Sequence, residues 1–202
     1  MQKPNSYDST QASGEFEPIK LGGHKMIIKQ VSEKKSQTGK DMLVVLFDFA
    51  DGDEQAGYFM KQFESDIRPD KKYPNAGTNY MIIDENVDYG VRNLKTFITC
   101  VEKSNPGFAV KWGDNFGQQF KGKLIGGIFR LEKDWYDNKE VKRHKLAWFR
   151  SVEGIKDADI PEERTTKAYD DHLKEEAIMG ANPAGIDFMS IPDSVQEELP
   201  FN

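Results

Sequence analysis

Hydrophobic and polar positions alternate in short stretches through the first two thirds of the chain. Lys25 to Val31 alternates loosely and Met42 to Phe49 is a longer β-rich run, while Ser36-Gln37-Thr38-Gly39-Lys40 between them carries the small residues of a hairpin loop. The polar break 51–56 precedes Gly57 to Phe63, an aromatic-rich stretch that predicts the third strand of a meander. Residues 64–89 hold Pro69, Pro74, Gly77 and several Asp and Asn, and read as a long irregular excursion. Val91, Leu94, Phe97, Ile98 and Val101 fall at helical spacing, predicting an amphipathic helix over about 90–104 that stops at Asn105-Pro106-Gly107. Lys123 to Lys133 and Val141 to Val152 then read as two strands joined by a turn at Asp137-Asn138.

Three strands, a helix and two strands predict a mainly β fold class. The expected form is an OB-fold-like five-stranded Greek-key barrel with one helix between strands 3 and 4, an architecture that binds oligonucleotides on one face and through its loops. Residues 1–15 lack apolar periodicity and read as a disordered arm, with the domain over 16–154. Residues 155–202 read as an acidic flexible tail with a possible helix at 165–179.

Charge sharpens this picture. Residues 1–150 carry 24 Lys+Arg and 21 Asp+Glu, whereas 151–202 carry 4 and 13, a net +3 against −9. Of 23 aromatic residues, 20 precede Ser151, so a weakly basic, aromatic body is joined to an acidic end. One cysteine excludes a disulfide framework or a Cys-based zinc cluster. No apolar run is long enough to span a bilayer, and the polar start lacks the centre of a signal peptide, so no membrane partner is expected and the expected compartment is the cytoplasm, here that of a bacterial host cell.

The densest constellation is 120–150, with nine basic residues against four acids and Trp135, Tyr136 and Trp148 interleaved. Single-stranded nucleic acid needs this pairing, because cations follow phosphates while flat side chains stack on bases. Lys133, Lys139, Lys142, Arg143 and Lys145 join those aromatics as candidates; the competing reading is a solvated hairpin whose aromatics are partly core. A second cluster combines Lys34, Lys35 and Lys40 of the first loop with Tyr58, Phe59 and Lys61 of the expected third strand, and Lys71, Lys72 and Tyr73 repeat the mixture. Strand alternation sends Phe59 and Phe63 to one face and Tyr58 to the other, so at least one set is core. At the end, Glu197, Glu198, Leu199, Pro200 and Phe201 join acids to an apolar plug suited to a basic groove or a partner's pocket.

Catalytic signals are weak. Residues 117–123 match P-loop spacing, but Leu124 stands where Ser or Thr holds magnesium. Asp48, Asp51, Asp53 and Glu54 read as a solvated turn, His24, His144 and His172 are scattered, and Cys100 lies on the helix. Neither an enzymatic reaction nor a cofactor nor a metal is expected.

Residues Leu21 to Lys29, Lys35 to Val45 and Glu198 to Phe201 resemble a phage-type single-stranded DNA-binding protein family, encoded in the replication regions of phages and prophages of Gram-positive bacteria. That resemblance implies an OB-fold, sequence-tolerant binding of single-stranded DNA in replication or recombination, and a tail that recruits replication or recombination proteins or competes with DNA. Two other classes stay open: an OB-like protein-interaction module without nucleic-acid binding, and a metal-dependent nuclease using Asp48, Asp51 and Asp53.

Overall fold

A computed structural model describes residues 2–5 and 16–180, the side chains as far as Ile178. Six strands form one sheet: β1 (Gly22–Lys35), β2 (Asp41–Phe49), β3 (Thr78–Ile82), β4 (Leu124–Tyr136), β5 (Lys139–Arg150) and β6 (Arg164–Thr165). The order is β3-β2-β1-β4-β5, all antiparallel, with β6 added parallel to β4. A meander whose first strand also pairs the fourth is the Greek-key order of an OB-fold. Helix α2 (Gly90–Ser104) follows β3 and packs on β3, β4 and β5, burying Phe97, Ile98, Cys100 and Val101. The expected fold therefore holds, and so does its helix between strands 3 and 4.

The core follows from alternation. Leu43, Val45, Phe47 and Phe49 of β2 meet Met26 and Ile28 of β1 and Ile125 and Phe129 of β4 inside the sheet. A bulge between Ile28 and Gln30 turns β1 so that Val31 faces inward again. Gly126 admits the return of the chain: a Cβ there would lie 2.6 Å from the Ile155 side chain and 2.7 Å from the Ser151 carbonyl.

The third strand is not where the pattern put it. Gly57 to Phe63 is not a strand; Tyr58–Ser65 form helix α1 instead, and β3 lies inside the stretch read as irregular. Two features decide for helix. Gly57 adopts a left-handed φ of 73°, which swings the chain out of the sheet. The buried Asp48 carboxylate then accepts the amides of Phe59 (2.9 Å) and Met60 (3.2 Å) as well as that of Phe49 (2.9 Å). It serves as a cap supplied from ten residues upstream of the helix.

Asp48 and Asp53 are accordingly not solvated turn acids. Asp53 accepts the amides of Lys25 and Gln55 and contacts the buried His24 ring at 3.1 Å. Nor is the region from 155 to 178 a free tail. It contributes β6 and helix α3 (Lys167–Gly180), which packs on β4.

Candidate nucleic-acid interface

β3 and β5 are the free edges of the curled sheet, and a cavity of about 320 Å³ separates them. Asn79–Ile82 of β3, Ala147–Phe149 of β5, and Tyr89, Arg92, Asn93 and Thr96 at the start of α2 line it. Tyr80 is 60% exposed, Tyr89 50% and Trp148 38%. Three flat side chains and a guanidinium thus border one seam. Asn93 donates its amide to the Ile82 carbonyl, which ties α2 to the β3 edge.

A bulge puts Trp148 there. Leu146 pairs with Phe129 and Trp148 with Ile128, leaving Ala147 as the extra residue. Leu146 and Phe149 both turn to the core, and Trp148 stays on the outer face with the Arg150 guanidinium 5.5 Å from its ring. On β2 and β3 the cross-strand partners Val44 and Tyr80, and Met42 and Ile82, place Tyr80 on the outer face too. The rows Ser32–Val44–Tyr80 and Lys34–Met42–Ile82 set exposed Lys34 on that same face.

Farther along β5, Lys142, Arg143, His144 and Lys145 line a second cavity of about 340 Å³ with Tyr58, Pro18, Ile19, Asn75 and Ala76. Here the structure brings together two clusters that lie far apart in sequence. Tyr58 donates its hydroxyl to the Glu17 carbonyl at 2.7 Å, and burial raises its pKa above the ordinary tyrosine value. The two cavities follow consecutive stretches of β5, with only Leu146 between them. The seven steps from Lys142 to Phe149 cover about 23 Å of strand.

The cations of the hairpin are mostly paired. Lys145 meets Glu132 at 2.6 Å, Arg143 meets Asp134 at 3.2 Å, and Lys142 meets Glu140 at 3.9 Å. Arg143 also sits 5.9 Å from the Tyr136 ring. The Thr166 hydroxyl and the Arg143 charge hold the Asp134 carboxyl below its usual pKa. Asp137 and Asn138 both take positive φ, a type I′ turn that leaves Tyr136 and Lys139 exposed at the tip. The Arg130 Nε is buried without a hydrogen-bond partner among the described residues.

Other expected site residues fall differently. Phe59 is fully buried, its ring 5.0 Å from Phe49 and 5.7 Å from Phe47, so it is core and cannot stack on a base. Tyr73 is half-buried and donates to the Phe47 carbonyl; burial, with the nearby Asp48 charge, pushes its hydroxyl pKa up. Lys71 lies 4.7 Å from the Phe63 ring, and Lys72 is exposed. Lys61 donates to the Ala56 carbonyl, Lys35 pairs with Asp41 at 2.6 Å, and Lys40 is exposed at the first hairpin loop. Trp135 and Lys133 are engaged by the residues on either side of β6: His172 stacks on Trp135 and Glu163 reaches Lys133. Glu197, Glu198, Leu199, Pro200 and Phe201 lie outside the described residues.

No protein-family model and no curated protein matches the chain. Among solved structures it is similar to one titled "Yeast RPA bound to ssDNA", at 13% identity over 89% of this chain and 97% of that one. The TM-score is 0.23. No helix among the described residues is long and apolar enough to cross a membrane.

Sequence reasoning missed Tyr80, Tyr89, Arg92 and Arg150 as candidates. The first three lie in or beside the stretch read as irregular. A five-residue strand, Thr78 to Ile82, leaves too short an alternation to show that Tyr80 faces out. The nuclease reading loses two of its three acids, since Asp48 and Asp53 already accept backbone amides.

Proposed function

We propose that the chain binds single-stranded DNA without catalysis, laying the strand along the outer side of β5. One observation carries the reading: Trp148, Tyr80 and Tyr89 border the open β3–β5 seam together with Arg92 and Arg150. Flat rings give each base a surface regardless of sequence, and the adjoining guanidiniums suit phosphates. Arg143 and Lys145 extend the track toward the hairpin tip, and Lys34 flanks it on the outer face of β1. In this reading the protein coats single strands during phage replication or recombination in the cytoplasm of a bacterial host. The acidic end with Phe201 recruits a partner protein or competes for the same track.

Titration with oligo(dT) at two salt concentrations, following tryptophan fluorescence, tests this directly. Quenching that weakens with salt, by about 0.7 log units of affinity per neutralised phosphate per log unit of salt, is the expected result. Absence of binding at low salt, both in the full chain and in one shortened after residue 180, overturns it in favour of a protein-interaction module.

A further inference from the structure

The β4–β5 hairpin has two faces, and only one of them belongs to the track just described. Residues directly opposite across an antiparallel pair share a face. Lys133 pairs with Lys142, and Trp135 with Glu140; they therefore lie opposite the face that carries Glu132 with Arg143 and Tyr136 with Lys139. This second face repeats the chemistry of the first, two ammonium groups beside a large flat ring, yet residues 163–172 cover Lys133 and Trp135 of it, contact Glu140 and leave Lys142 exposed.

The manner of covering is informative. The Glu163 carboxylate lies 2.6 Å from the Lys133 ammonium. The His172 ring lies parallel to the Trp135 indole, centroids 3.4 Å apart and planes within 10°. A carboxylate on lysine and a flat heterocycle on tryptophan are the contacts that a phosphate and a base would make. The attachment is largely polar: the Thr166 amide donates to the Lys133 carbonyl at 2.9 Å, its hydroxyl to Asp134 at 2.7 Å, and the Tyr169 hydroxyl to Glu140 at 3.0 Å. β6 is only two residues long, and α3 leaves Leu173 46% and Ile178 70% exposed. A strap so lightly anchored can be exchanged for a ligand making the same contacts.

Building on the single-stranded DNA reading, we infer that the Lys133–Trp135–Lys142 face is a second single-stranded DNA site, occupied here by the chain's own segment 163–172 as a mimic of the ligand. Displacing the segment lengthens the bound strand from one face of the hairpin to both. The segment is itself weakly acidic, since Glu163, Asp170 and Asp171 outnumber Arg164 and Lys167. DNA that takes its place therefore also separates it from like charge.

The experiment compares the full-length chain with the triple variant Glu163→Gln/Tyr169→Phe/His172→Ala, which removes the mimicking groups and leaves the hairpin intact. Affinity for fluorescein-labelled oligo(dT) is expected to rise about 3- to 10-fold, because the face no longer spends most of its time covered. Adding Trp135→Ala to the triple variant abolishes that gain. Acrylamide quenching of tryptophan without DNA rises in the triple variant while the far-ultraviolet circular dichroism is unchanged. A triple variant that binds as the wild type does, or a gain that survives the added Trp135→Ala, overturns the second site and leaves the β5 track standing. Absence of oligo(dT) binding in every variant overturns the DNA reading itself, and this site with it. A gain seen with oligo(rU) alone overturns the assignment to DNA.

Discussion

Trp148 and Tyr80 line the seam from β5 and β3, and removing either ring separates stacking from charge. Base stacking on an aromatic side chain is worth about 1–3 kcal/mol, which converts to a loss of about 5- to 150-fold in affinity. The structure narrows that range. Trp148 is 38% exposed, so much of its ring already packs against the sheet and only part remains for a base. Trp148→Ala is expected in the lower half, about 5- to 30-fold, and Tyr80→Ala, 60% exposed, in a similar range. If the two rings hold successive bases, the losses add within a few tenths of a kcal/mol; if they clamp one base, the double variant loses less than the sum. Fluorescence anisotropy of labelled oligo(dT) at two salt concentrations reads both quantities. Neither substitution removes a cation, so the salt slope stays at its wild-type value, whereas Arg150→Ala lowers it by about 0.7 if Arg150 meets a phosphate. Single variants that bind within twofold of the wild type while melting at the same temperature would refute the stacking role of the seam.

Three further outcomes test the frame that holds the seam. Phe59→Ala empties a fully buried ring site between Phe47 and Phe49 and is expected to cost about 3–5 kcal/mol in urea unfolding, with DNA affinity of the folded fraction unchanged. Asp48→Ala leaves three backbone amides without their acceptor and is expected to lower stability by about 3 kcal/mol or more, read in the same unfolding experiment with loss of α1 helicity. Burial raises the Asp53 pKa, but hydrogen bonds from His24 and the Gln55 and Lys25 amides outweigh it and hold the carboxyl below its ordinary value. A depressed folded-state value gives stability that is complete above about pH 4 and fades as pH falls through the lower folded value, so Asp53→Asn flattens the acid side of the melting-temperature profile.

Alternation made four of the five barrel strands and α2 legible, because each has an apolar face long enough to show its period. The third strand failed for a physical reason. Tyr58, Phe59 and Phe63 satisfy a period of two and a period of 3.6 about equally, with Phe59 and Phe63 four apart. What breaks the tie is tertiary: a carboxylate from Asp48 on the neighbouring strand and a left-handed Gly57. The same distance effect hid the role of Asp48, whose polarity suggests solvent until three amides are seen to converge on it. At the site, composition picked out the β4–β5 hairpin, but it could not tell the two faces of that hairpin apart. The bulge at Ala147, which places Trp148 on the outer face, has no composition signature.

The cation count of the hairpin also overstates what salt will show. Lys145, Arg143 and Lys142 each face a carboxylate of the same sheet, so a phosphate arriving there exchanges one anion for another. Counterion release drives nucleic-acid binding when a phosphate meets a cation whose other neighbour is salt. Where the other neighbour is Glu132 or Asp134, the freed carboxylate gathers a cation from solution and offsets part of the release. The cations of these pairs stay about half exposed, and such part-exposed pairs are individually weak, so the exchange leaves the track usable. The expected log–log salt slope is therefore set mainly by cations that have no acidic partner among the described residues on the track, Arg92 and Arg150 among them. On the proposed reading, charge then orients the strand along β5, and the rings at the β3–β5 seam supply most of the affinity that survives at high salt.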